Sequence, residues 1–126
     1  MHGRARLSAL AIKISSFGFK YGAAPEADLV IDLRRRLANP RNHLPRGAVG
    51  TDNIVRKTVL GNDGNMRVFT SCQQRAKRLI DKQPSASIAF GCKSGIHRSV
   101  VFAEELAARL RRTGHEVEVE HLHLRS

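Results

Sequence analysis

The chemistry of this chain is concentrated in ten residues, Gly91-Cys92-Lys93-Ser94-Gly95-Ile96-His97-Arg98-Ser99-Val100. A short apolar run, Ser87 to Phe90, precedes them and reads as a buried strand. Ser99 to Arg112 follows, with Val100, Val101, Ala103, Leu106, Ala107 and Leu110 at helical spacing. A tight loop between a strand and a helix N-terminus is suited to anions. Free backbone N–H groups leave the first helical turn, and the helix dipole favours negative charge there. Gly91 and Gly95 permit unusual backbone angles and close approach of a ligand. Lys93, His97 and Arg98 add cationic donors, and Arg98 can hold a phosphate through two parallel hydrogen bonds. The bland alternative is a connecting turn with incidental basic residues. Helix starts without ligands, however, favour acidic first turns, and this one is basic.

The same residues spell Cys-x5-Arg-Ser, the signature of cysteine-dependent phosphatases. In that chemistry the Cys92 thiolate attacks phosphorus, Arg98 holds the equatorial oxygens and Ser99 assists the leaving thiolate. A general acid must then come from another loop, with Asp32, Asp52 and Asp63 as the candidates. The pattern is short, and a cysteine in an anion loop can simply bind. Zinc is a weaker idea. His121 and His123 share a strand face, but His115 and Cys72 lie elsewhere and no third ligand has the usual spacing. No metal and no cofactor is therefore expected.

The elements that must position the loop can be read in order. Leu7 to Ser15 is a first strand. Ser16-Phe17-Gly18-Phe19-Lys20-Tyr21-Gly22 is a loop able to offer aromatic faces and one cation, although Phe17 and Phe19 could equally plug the sheet end. Leu29 to Leu33 is a second strand, with Asp32 and Arg34 at its end, where α/β folds place binding residues. Then comes a basic loop with Arg34, Arg35, Arg36, Arg41 and Arg46, five arginines within thirteen residues, suited to a phosphate backbone or to solvent. Thr51-Asp52 caps a helix from Asn53 to Leu60. Gly61 to Asn65 breaks it, and Met66 to Lys82 is helical again, with Cys72 on its apolar stripe. Thr113-Gly114 ends the last helix, and Glu116 to Glu120 alternates like an edge or half-exposed strand. The order implies a small layered α/β domain with a mainly parallel sheet.

A chain of 126 residues makes one domain with a modest core. The formal charge of +11 points to nucleic acid, phosphorylated metabolites or an acidic partner. Arg75, Lys77 and Arg78 on one helix and Arg109, Arg111 and Arg112 on the next could face RNA or merely be polar helix faces. Two cysteines make no disulfide framework and fit a reducing cytoplasm. The apolar run near the N-terminus is too short for a signal peptide, and no stretch approaches transmembrane length.

Three motifs together, Ser16 to Gly22, Asp32-x-Arg34 with Asn39-Pro40, and Gly91-Cys92-x-x-Gly95-x-His97-Arg98-Ser99-Val100, resemble the C-terminal domain of the RapZ family of RNase adapter, or YvcJ-like nucleotide-binding, proteins. The likeness covers about Leu7 to Leu124. The family's N-terminal P-loop kinase-like domain has no counterpart here, since no Gly-x-x-x-x-Gly-Lys-Ser/Thr occurs. The resemblance implies a fold similar to a phosphofructokinase subdomain, and a non-catalytic sensor or adapter that binds glucosamine-6-phosphate and a small RNA. It also implies self-association. The ligand positions it implies are Lys20, Arg34, Lys93, Ser94, Gly95, His97 and Arg98, and Cys92 and Ser99 of the same loop complete the expected ligand set. RNA contacts are expected at Lys20, Arg34, Arg35, Arg36, Arg41, His97 and Arg98. Where the family loop usually has small residues, this chain has Lys93 and Ser94.

Overall fold

A computed structural model describes residues 11–124. Four strands, β1 (Ile12–Gly18), β2 (Leu29–Asp32), β3 (Ser87–Cys92) and β4 (Val117–His121), form one sheet in the order β2-β3-β1-β4, with every pairing parallel. Three helices, α1 (Asn53–Leu60), α2 (Asp63–Lys82) and α3 (Arg98–Arg112), complete the layered α/β domain.

Side chains alternate across the strands, as a sheet requires. Ile12 and Ile14 of β1, Ile31 of β2 and Val117 of β4 enter the core, while Lys13, Val30 and Glu118 point the other way and are exposed. Beneath the sheet, α3 packs on β1, β3 and β4. The core centres on Phe69, Phe90 and Phe102, whose rings meet edge to face at 5.2 and 6.0 Å. Cys72 is fully buried among them, and burial pushes its thiol above the ordinary range, so it is a core residue.

Several boundaries differ from the sequence expectation. Strand β1 is shifted, beginning at Ile12 and running on through Gly18; positions 7–10 of the expected strand lie outside the described residues. The break between α1 and α2 is only two residues long. Asn62 caps α2 by accepting the N–H of Asn65 at 2.9 Å, so the helix starts at Asp63, three residues before the apolar stripe does. Asp52 is the N-cap of α1, yet its carboxylate accepts from Val49 N at 2.8 Å instead of from the helix. Strand β4 lies at a sheet edge, as its alternation suggests.

Parallel pairing has one consequence for function. All four strands end at the same edge of the sheet, and the carboxyl ends of β1 and β3, adjacent at the centre, hold Gly18 opposite Cys92. The loops leaving those two strands are therefore neighbours.

Candidate functional site

Two glycines set the distance between these loops. A Cβ on Gly95 would lie 2.6 Å from Gly18 N, and Gly95 has a φ of 77°, a region that favours glycine. Backbone packs against backbone here, and Lys20 N donates to Lys93 O at 3.1 Å to fix the pair. Between Gly95 and α3 the chain turns at His97, the N-cap position, whose side chain makes no capping hydrogen bond to the helix, and the first turn holds no acid.

A cleft of about 600 Å³ opens over this junction. Its walls come from the turn after β1 (Lys20, Tyr21), the long basic loop (Asn39 to Val49), the β3–α3 loop (Cys92, Ser94, Ile96, His97, Arg98) and the tail after β4 (His123). No aspartate or glutamate is among the lining residues.

Arg98 is the unusual member. It is buried, with only 5% of its surface exposed. One terminal nitrogen donates to Leu37 O at 2.9 Å and more weakly to Arg34 O at 3.4 Å, while its Nε is buried with no partner among the described residues. No carboxylate among the described residues pairs with it. A buried guanidinium met only by carbonyl oxygens carries an uncompensated charge, which an anion in the cleft would neutralise. His97 Nε2 donates to Ala48 O at 2.8 Å, and Gly50 N donates to Ile96 O at 2.6 Å. The basic loop is thus tied to the anion loop at both ends, and its arginine-bearing middle is left over the cleft.

Cys92 is buried at the cleft floor. Its Sγ lies 3.1 Å from Ser99 Oγ and accepts the Gly95 N–H at 3.3 Å. Ser99 is fully buried and acts on the cleft only through that thiol. Of the three aspartates considered as general acids, Asp32 is held by Arg34 at 2.6 Å, Asp52 braces Val49, and Asp63 sits in the first turn of α2; none lines the cleft.

The structure therefore brings Lys20, Arg41, Cys92, Ser94, His97 and Arg98 together on one cleft. Gly95 shapes the loop without lining the cleft, and Lys93 contributes its carbonyl, its side chain being exposed. Arg34 lies outside. It grips Asp32 through three side-chain hydrogen bonds and lays its guanidinium 3.7 Å over the Phe19 ring. Those hydrogen bonds hold the Asp32 carboxyl below its ordinary range. Arg35 and Arg36 are exposed on the adjoining turn, and Arg75, Lys77, Arg78 and Arg112 are exposed on the helices. Arg109 is engaged with Glu105 and stacked over Phe69, and Arg111 donates to Val117 O.

The residue types alone gave no reason to place His123 in the cleft. Its Nδ1 accepts the Gly18 N–H at 2.8 Å, and its ring stacks on Tyr21 with centroids 4.3 Å apart. His121 is likewise committed. Ser16 Oγ donates to its Nδ1 at 2.6 Å, and its Nε2 donates to Glu104 at 2.7 Å. The serine–histidine–glutamate order resembles a hydrolytic triad, but Ser16 is fully buried, so the chain of bonds fastens β4 to β1 and α3. Among the described residues no three of His, Cys, Asp and Glu converge as metal ligands.

Fold and cleft together define a small parallel α/β domain with a cationic, acid-free site at the carboxyl ends of its central strands. Comparison with known proteins is more specific. Residues 10–125 match the model of the RapZ C-terminal domain, and the chain belongs to that family. A nucleotide-binding protein of Thermobifida fusca is 38% identical over 94% of this chain and 42% of its own length. A nucleotide-binding protein of Leifsonia xyli is 42% identical over 79% of this chain and 36% of its own length. The chain thus spans about two fifths of the relatives it matches. No helix among the described residues is long and apolar enough to cross a membrane.

Proposed function

We propose that this domain is a non-catalytic sensor or adapter that binds a sugar phosphate in the cleft above the Gly91–Val100 loop. The observation that carries this reading is Arg98, a buried cation on the cleft wall with no carboxylate partner among the described residues. Its charge, the uncapped α3 N-terminus and Lys20, Arg41 and His97 around it favour a phosphate dianion. Glucosamine-6-phosphate is the ligand the family resemblance offers. We read the domain as cytoplasmic and able to self-associate, with its core at about residues 7–124.

Titration calorimetry with glucosamine-6-phosphate, against glucosamine and inorganic phosphate, tests the site. Saturable binding that needs both sugar and phosphate supports it, and no binding of any phosphate refutes it. RNA binding through Arg35, Arg36, Arg41 and the cleft cations is the second part of the proposal. It requires affinity that falls steeply with salt, because phosphate contacts release counterions. Binding that is insensitive to salt or undetectable removes that part.

One observation favours a second reading, phosphoryl transfer at Cys92. The thiol sits on the cleft with Ser99 Oγ and the Gly95 N–H against its sulfur. Cys92→Ser decides it. A phosphatase loses all turnover of an aryl phosphate and still binds phosphate, whereas a binding domain shows no turnover in either form.

A further inference from the structure

Two histidines fasten β4 and its tail to β1, and they tolerate a proton differently. His121 Nδ1 meets Ser16 Oγ at 2.6 Å, and its Nε2 meets Glu104 at 2.7 Å. A hydroxyl accepts as readily as it donates, and a carboxylate accepts throughout, so a protonated His121 keeps both bonds. His123 has no such freedom. Its Nδ1 accepts the Gly18 N–H at 2.8 Å, and an amide N–H can only donate. The ring that makes this bond is neutral and carries its proton on Nε2. A second proton would sit on Nδ1 and face the amide hydrogen.

Gly18 is where this bond reaches the anion loop. There is no room for even a Cβ between Gly18 and the Ser94 backbone, and a Cβ on Gly95 would lie 2.6 Å from Gly18 N. The His123 ring also stacks on Tyr21, whose turn is tied to the loop by the bond from Lys20 N to Lys93 O. We infer that His123 is the positioning residue of this cleft wall and pins it only as a neutral ring, so that mild acid frees the tail from Gly18 and weakens ligand binding. The inference rests on the anion-site reading of the cleft and adds its regulation.

The groups around His123 make the sign of the effect diagnostic. Tyr21 stacks on it, Lys20 Nζ stands 5.2 Å from the Tyr21 ring, and Arg41, Arg46, His97 and Arg98 share the cleft. On β4 itself stand His121 and the exposed Glu120, and Glu104 of α3 is engaged by His121. No aspartate or glutamate lines the cleft. A rigid cleft of this kind binds an anion more tightly in acid, because His97 and His123 both gain charge. The pin has the opposite effect over the range, about pH 5 to 8, in which histidine ordinarily titrates.

Glucosamine-6-phosphate is titrated by calorimetry into the parent protein and into His123→Asn, at pH 8 and at pH 5.5. Asparagine offers Oδ1 in place of Nδ1, accepts the Gly18 N–H and does not titrate. The ligand's own ionisation is common to both proteins and cancels in the ratio of their affinities. Between the two pH values the parent is expected to weaken roughly tenfold relative to the variant, the factor for one unit below the ordinary histidine value of about 6.5. Nitrogen NMR of the parent gives a reading that needs no variant: an Nε2–H tautomer for His123 at pH 8, and a Gly18 amide that loses exchange protection at pH 5.5. A ratio that is flat or moves the other way, or an Nδ1–H tautomer at pH 8, overturns the pin and leaves the anion site standing. If neither protein binds the sugar phosphate at pH 8, the anion site itself is overturned, and the NMR reading still decides the pin.

Discussion

Helix α3 buries two charged side chains, and they are satisfied in opposite ways. Glu105, in the middle of the helix, is 5% exposed and is met by Arg56 and Arg109, each at 2.8 Å. Arg98, in the first turn, is equally buried, but among the described residues it has only backbone carbonyls, and its Nε has no partner there. One charge is closed by two guanidinium groups, and the other meets no carboxylate among the described residues. Burial by itself therefore does not distinguish the two charges; the partner inventory does. Had the chain placed a carboxylate beside Arg98, the cleft would be an internal salt bridge and would have little call for a ligand.

The sharpest way to break this contrast is Arg98→Ala. It should weaken binding of a sugar phosphate roughly a hundredfold, the loss of a charge-assisted pair. Phosphate should also stop raising the melting temperature, as it should in the parent protein by linkage. Arg98→Lys, which keeps the charge without the fork, separates geometry from charge if the alanine variant folds poorly. A fully retained affinity in both variants would end the analogy between buried charge and ligand site.

Glu105→Gln comes next. It should cost about 2 kcal/mol of unfolding free energy by removing two charge-assisted bonds, read from urea denaturation. The melting-temperature gain from phosphate should survive it. Loss of that gain would mean the two ends of α3 are coupled.

Acid offers a gentler version of the same test. Burial raises the Glu105 carboxyl, but the hydrogen bonds from Arg109 and Arg56 outweigh it and leave the group below its ordinary value of 4.5. The folded form therefore binds the proton less readily than the unfolded chain. Its contribution to stability is complete above about 4.5 and is lost as pH falls through the depressed folded value. Urea midpoints should drop over that acid range in the parent protein and drop less in Glu105→Gln.

The smallest effect is expected at Asp32→Asn. Asp32 and Arg34 are 43% and 46% exposed, and such a pair adds little in water. The unfolding midpoint should stay close to that of the parent in a thermal melt. A large fall would show that the Arg34–Phe19 stack depends on this pair.

How the sequence exposes these regions follows from range. The strand–loop–helix unit was legible because its parts are contiguous: apolar run, glycines and helix all fall between Ser87 and Arg112. Helix α1 was equally plain, bounded by Asp52 and Gly61. Arg34 was expected at the ligand because it follows a strand end. Two residues back, though, lies Asp32, and an aromatic face stands beside it; the guanidinium turns to these neighbours and not into the cleft. His123 was read only as half of a weak metal idea. Its place depends on a bond to Gly18, 105 residues away, and on the parallel register that sets Ser16 beside His121. Nothing local in the tail encodes that register.

The bond between Gly18 and His123 also bears on when the domain becomes competent. The cleft draws its walls from Lys20 near one end of the described chain and His123 near the other, and edge strand β4 carries the latter. During synthesis the anion loop emerges well before β4, so a nascent chain that holds every cation still lacks a finished pocket. On the proposed reading of the cleft, occupancy then certifies that the last strand has docked. Any fraying of that strand in the mature protein would show as a rise in ligand off-rate and as faster amide exchange at Gly18, ahead of any loss of helix.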